Sequence, residues 1–180
     1  MVVGISLIIG EVDWKPVSEL DPESAEYALA QNVGVLYAGG SRCTGWVYDN
    51  SVYTAGHCLP DSGRARLQVG NETLELYFSD CSVWDICRDT HQFSKSSVMM
   101  YAKERREAYL LHQQEGEILI SPNCSYWRKN ANRVYHTCDS YYGSSGGMLV
   151  DAETNTPIAV HTGGYPDDMV NVATKLSVLD

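Results

Sequence analysis

The chain has little positive charge and nowhere concentrates it. Its 180 residues carry 13 Lys and Arg against 23 Asp and Glu, a formal net charge of −10. That balance argues against nucleic acid or an anionic membrane as partner, because both require a basic surface. The one basic run, Lys103-Glu104-Arg105-Arg106, reads as a solvated face. Long apolar runs are missing too. The opening MVVGISLIIG runs into acidic residues and lacks a basic flank, and it is far short of the roughly 20 residues of a membrane span. It reads as a strand of the fold preceded by a start Met. No cysteine belongs to a CxxC pair of the kind zinc sites use, and neither an internal repeat nor a low-complexity tract is present.

What is there suits a globular protein of one domain, or of two small halves sharing a core: 44% hydrophobic residues, 20% charged residues and four Trp. The cysteines, Cys43, Cys58, Cys81, Cys87, Cys124 and Cys138, are even in number. Disulfides and an oxidising compartment follow as the expectation. Asn71-Glu72-Thr73 and Asn123-Cys124-Ser125 match the N-glycosylation triplet, a pattern that also arises by chance.

Asp21-Pro22-Glu23-Ser24 has the form of a helix start, with Asp as cap and Pro at the first helical position, and predicts a short helix to about Gln31. Short segments rich in Val, Tyr, Leu and Thr then predict strands over 33–38, 43–48, 51–55, 65–69 and 73–78. They are separated by the turn formers Gly39-Gly40, Asp49-Asn50, Asp61-Ser62-Gly63 and Gly70-Asn71. Residues 94–116 are polar and lose the alternation, and they read as a connection with a possible helical turn. Strands are expected again over 116–120, 133–137, 148–151, 157–161 and 170–176. Many short strands joined by tight turns indicate an all-β protein, organised as residues 1–93, a connection 94–116 and residues 117–180.

Two stretches carry chemistry. Residues 139–147, DSYYGSSGG, place Ser145 among small residues, where a tight turn can aim both a hydroxyl and backbone N–H groups at one carbonyl. A Gly/Ser-rich surface loop is the other reading of that stretch alone. Upstream, a hairpin over 43–58 ends in Thr54-Ala55-Gly56-His57-Cys58.

The hairpin resembles the catalytic-histidine region of the chymotrypsin-like serine proteases, whose TAxHC motif is bridged to a cysteine on the preceding strand. Gly143-Ser144-Ser145-Gly146-Gly147 is similar to their G-x-S-G-G nucleophile motif. The resemblance implies two six-stranded antiparallel β-barrels with the active site in the cleft between them, and a disulfide from Cys43 to Cys58. Ser145 would be nucleophile and His57 general base. The N–H groups of Gly143 and Ser145 would form an oxyanion hole, each donor worth about 3 kcal/mol to the transition state. For the triad acid, Trp84-Asp85-Ile86 matches best, with Asp89 as fallback and Asp80 as a third candidate. Cys81 with Cys87 and Cys124 with Cys138 are the sequence-local guesses for pairing, although sequence alone leaves that pairing open.

Two departures narrow the resemblance. Ser144 stands where the digestive enzymes keep the aspartate that receives a new N-terminus, and the opening reads VVG after Met1 rather than a basic residue before IVGG. No N-terminal salt bridge is therefore expected to switch the enzyme on, and the resemblance shifts to the bacterial and viral branches, including the staphylococcal glutamyl endopeptidase group. In the specificity pocket two signals compete. Asp139 lies where trypsin-type enzymes bind Lys or Arg. His161, in Val160-His161-Thr162-Gly163-Gly164, resembles the segment with which glutamyl endopeptidases and picornavirus-like main proteases hold Glu or Gln, and Ser140 takes the place of their Thr or Ser. A histidine at the mouth would obstruct a long cationic side chain and be protonated more readily beside Asp139, which favours Glu or Gln. His91, His112 and His136 read as structural or surface residues. The whole implies a secreted, monomeric serine endopeptidase acting on protein or peptide, without metal or organic cofactor. The competing functions are a non-catalytic homologue that binds peptides in the same groove and a viral polyprotein protease inside a host cell.

Overall fold

The computed structural model describes residues 2–89 and 105–179, and His91, Lys103 and Glu104 lie outside them. The elements in chain order are β1 (Val2–Val3), β2 (Lys15–Pro16), α1 (Ala25–Ala30), β3 (Val33–Ala38), β4 (Ser41–Tyr48), β5 (Ser51–Ala55), β6 (Arg64–Val69), β7 (Glu72–Ser82) and β8 (Ile86–Asp89). Then follow β9 (Arg106–Gln114), β10 (Glu117–Arg128), β11 (Arg133–His136), β12 (Met148–Asp151), β13 (Thr156–Tyr165) and β14 (Val170–Lys175). Strands β3 to β8 close a six-stranded antiparallel barrel in the order β3-β4-β5-β8-β7-β6. A second antiparallel barrel runs β13-β12-β9-β10-β11-β14 and is closed by the β13–β14 pairing.

Local chemistry accounts for much of the first barrel. Between β4 and β5, Asp49 and Asn50 both adopt left-handed backbone, φ 50° and 62°, as a two-residue hairpin turn requires. In β6, exposed and buried residues alternate, sending Ala65 and Leu67 inward. Trp46 stacks on Tyr53 with ring centroids 4.8 Å apart, and Leu36, Leu67 and Ile86 are buried around the same core. Each such aliphatic side chain contributes roughly 1.5–3 kcal/mol by leaving water.

Several expectations are corrected. The helix begins later than Asp21-Pro22 suggested: Ser24 is its cap, its hydroxyl accepting the Tyr27 N–H, while Asp21 shapes the turn before it by accepting from Glu23 N–H. Residues 106–114 are a strand rather than part of a connection. They lost the alternating signature because β9 lies between β10 and β12 with Ala108 to Gln113 all buried. Only 94–104 of the expected linker falls outside the described residues. Arg106 is no solvated charge; its Nε donates to Asp151 Oδ2 at 2.6 Å, an oxygen that also accepts the Tyr126 hydroxyl at 2.6 Å. The opening residues belong with the second barrel instead of the first, since β1 pairs with β13 and β2 with β10.

Three disulfides join Cys43 to Cys58, Cys81 to Cys87 and Cys124 to Cys138. The second closes the β7–β8 hairpin around Asp85. Among the described residues no helix is long and apolar enough to cross a membrane.

Candidate active site

His57 lies on a 3₁₀ turn, Gly56–Cys58, at the end of the wholly buried β5. Asp85 occupies the turn that leads into β8, with φ 65°. This turn is tied to both barrels: Gly56 N–H donates to Asp85 O at 3.1 Å, and Thr174 Oγ1 of the second barrel donates to Trp84 O at 2.6 Å. The Asp85 carboxylate accepts twice from His57, at Oδ1 from the backbone N–H and at Oδ2 from Nδ1, each at 2.6 Å. With its Nδ1 proton committed there, the ring presents Nε2 as an acceptor to Ser145 Oγ, 2.8 Å away. Neither alternative acid reaches His57. Asp89 accepts the Tyr77 N–H, and Asp80 takes Nε and Nη2 of Arg88.

The Ser145 turn is held from the first barrel. Thr44 N–H donates to Ser145 O at 2.8 Å, Thr44 Oγ1 to Gly143 O at 2.7 Å and Trp46 Nε1 to Gly146 O at 2.8 Å. Gly146 has φ 89°, and a Cβ there would stand 2.0 Å from Thr44 O, so only glycine allows this approach. The N–H groups of Gly143 and Ser145 meet no acceptor among the described residues. A hydroxyl beside a basic imidazole nitrogen, next to two free donors, can add to a carbonyl and hold the resulting oxyanion.

Ser144 is fully buried. Its hydroxyl accepts from Tyr141 N–H and Gln114 Nε2 and lies 2.9 Å from His112 Nδ1. The turn is thus braced on β9, where the digestive enzymes of the resemblance use an N-terminal ion pair. His112, read as a structural or surface residue, lies buried under this loop.

His161 is joined to the Ser145 turn, Gly146 N–H donating to His161 O and His161 N–H to Gly147 O, each at 2.9 Å, and His161, Ser140, Asp139 and Gly163 all meet residues 3–13 of the chain. Cys138 N–H donates to His136 Nδ1 at 3.2 Å, so His136 carries its proton on Nε2 and donates to His161 Nδ1 at 3.0 Å. His161 is left as a donor at Nε2, which faces Ser6 Oγ at 2.9 Å. His136 is therefore a supporting residue that sequence reading missed. The only available signal was its placement on a strand two residues before Cys138, which does not reveal a neighbour 25 residues away. Burial lowers the pKa of His112 to about 3, and burial with the nearby His112 lowers that of His136 to about 3. Burial, then His136, His112 and His57, push His161 well below the usual imidazole range, which corrects the expectation of easier protonation beside Asp139: the ring is fully buried.

These three bases titrate lower folded than unfolded, where a histidine has a pKa of about 6.5. Their stabilisation is complete above that value and is lost as pH falls below it, at about 1.4 kcal/mol per pH unit for each histidine. Losing the support of all three acts against a fold whose total stability is, in ordinary domains, only roughly 5–15 kcal/mol. The urea midpoint is expected to fall steeply between pH 7 and 5; a flat profile would contradict neutral, buried histidines.

The residues expected to line the pocket are occupied by the chain's own opening segment. β1 pairs with β13 in the register Val2 to Gly164 and Val3 to Gly163, and Gly4 N–H donates to Thr162 O at 3.1 Å. Ser6 Oγ lies 2.9 Å from His161 Nε2. Leu7 N–H donates to Ser140 Oγ and Asn171 Oδ1, while Leu7 O accepts Ser140 N–H and Asn171 Nδ2. Asp139 spends its carboxylate on the same segment, accepting Ile9 N–H at 2.7 Å and Asp13 N–H at 3.1 Å. Burial, with the Asp139 carboxylate beside it, raises the Asp13 pKa to about 6.

No protein-family model and no curated protein matches the sequence. Solved structures do match the fold. A Glu endopeptidase in complex with MPD aligns over 95% of this chain and 94% of its own with TM-score 0.71 and 18% identity. The Rv3671c protease of M. tuberculosis in its active form covers 89% of this chain and 83% of its own, with TM-score 0.65 and 18% identity. A human pathogenic astrovirus serine protease covers 81% of this chain and 90% of its own, with TM-score 0.58 and 14% identity. The chain has the chymotrypsin-like fold of two antiparallel barrels.

Proposed function

We propose that this chain is a serine endopeptidase that hydrolyses peptide bonds through an acyl-enzyme. The observation that carries the reading is the unbroken run from Asp85 through His57 to Ser145, at 2.6 and 2.8 Å, beside the two free N–H groups. Ser145 Oγ attacks the scissile carbonyl carbon as its proton passes to His57 Nε2, and the oxyanion takes the Gly143 and Ser145 N–H groups. The C–N bond breaks as His57 returns that proton to the leaving amine. Water, deprotonated by His57, then attacks the acyl carbon, and the bond from that carbon to Ser145 Oγ breaks as His57 returns the proton to Oγ, releasing the carboxylic acid. Asp85 holds the ring in its tautomer and offsets the imidazolium charge. Three disulfides support secretion into an oxidising compartment.

Glu or Gln is the side chain the pocket suits on the acyl side of the cut. The neutral His161 offers a donor at Nε2 and Ser140 a hydroxyl, and both match an acceptor. Both Asp139 oxygens accept backbone N–H groups of Ile9 and Asp13, which lie beyond the residues, Ser6 and Leu7, that a substrate must displace from His161 and Ser140, so no free carboxylate awaits a Lys or Arg. The structurally similar Glu endopeptidase supports the same preference.

Two measurements test the reading. A fluorophosphonate should label Ser145 in the folded chain or in a variant lacking residues 2–6, and Ser145→Ala should abolish labelling. No labelling of either folded protein would overturn catalysis and leave peptide binding. A peptide-library profile should show cleavage after Glu or Gln; cleavage mainly after Lys or Arg would restore Asp139 as the specificity residue.

A further inference from the structure

We propose that residues 2–7 are an intramolecular inhibitor that closes the cleft until the segment is displaced or removed. The inference rests on the protease reading for its consequence and on geometry for its occupancy. The segment uses the recognition mode of an extended peptide, adding a short antiparallel strand to the β13 edge at Gly163 and Gly164. It reaches the catalytic groups at Gly4, where a Cβ would stand 3.4 Å from His57 Nε2.

Beyond Gly4 the path is unlike that of a peptide presenting one side chain to a pocket. Gly4 has φ 78°, a conformation that turns the chain, and the main chain itself then meets the pocket wall. Ser6 Oγ takes the His161 donor, while Leu7 N–H and C=O are both held by Ser140 and Asn171. Ile9 and Asp13 fasten the far end to Asp139. The groups that would read a substrate side chain are thus already satisfied, and a substrate must displace the segment first.

A tethered occupant lowers apparent affinity by the fraction of molecules left open, and leaves turnover at saturation unchanged. A segment seated nine-tenths of the time therefore raises KM about tenfold with kcat constant. Deleting residues 2–6 should lower KM by about that factor or more at unchanged kcat. Gly4→Val should act in the same direction in the full chain, because a side chain there meets His57 and strains the backbone only while the segment is seated. A loss of structural support would instead lower kcat.

Occupancy is tested independently of catalysis in the Ser145→Ala background. A fluorescent peptide with the sequence of residues 2–6 should bind the chain lacking 2–6 and bind the full chain about tenfold more weakly or worse. Equal binding to both, or binding to neither, would overturn the proposal. Failure of the protease reading would appear separately, as absent fluorophosphonate labelling.

Discussion

Ser145→Ala and His57→Ala are each expected to lower kcat about 10⁶-fold, and the double variant to lose no more than either alone. The two groups act as one unit, since the oxygen is nucleophilic only as its proton leaves for Nε2, 2.8 Å away. Once either is gone, the other has no reaction to serve. Residual rate above water would come from the Gly143 and Ser145 N–H groups, which both substitutions leave in place. The measurement is kcat on a peptide substrate at saturation, where the resident N-terminal segment has been outcompeted. Losses that multiply, so that the double variant falls far below either single one, would mean that Ser145 and His57 do not share a step.

Asp85→Asn should lower kcat about 10⁴-fold near neutral pH while leaving the fold intact. An amide at Oδ2 can present an N–H to Nδ1, which then becomes the acceptor and moves the ring proton to Nε2, the atom that must receive the Ser145 proton. The backbone bond from His57 N–H to Oδ1 survives the change, so the ring stays in place with the wrong tautomer. Asp89→Asn supplies the contrast. Asp89 faces Tyr77 N–H inside the first barrel, so its replacement should act on stability and leave kcat within a few-fold. A large kcat loss at Asp89 with none at Asp85 would reassign the acid.

Where the information is local, the sequence was readable. The β4–β5 hairpin follows from Asp49-Asn50, and the alternation in β6 from its own residues. β9 was illegible because both its faces are buried, which removes the alternation and leaves Arg106, His112 and Gln113 looking like surface. Their polarity is met by partners on other strands: Asp151 for Arg106, Ser121 for His112, and Arg42, whose carbonyl accepts Gln113 Nε2. Of the opening run read as a strand only Val2–Val3 is one, and the segment's address was not legible, since its partners lie more than 120 residues further along the chain.

The sequence by itself determined the barrel-forming pattern, the Ser145 turn and the residue types at 57, 85 and 145, because turn and strand preferences act over a few residues. Only the tertiary structure set Asp85, and neither Asp80 nor Asp89, against His57, joined His136 to His161 and Ser144 to His112, and seated the chain's own opening residues in the cleft. Those outcomes depend on hydrogen bonds between groups that only barrel closure brings within 3 Å or so of each other. Spacing along the chain carries no record of them.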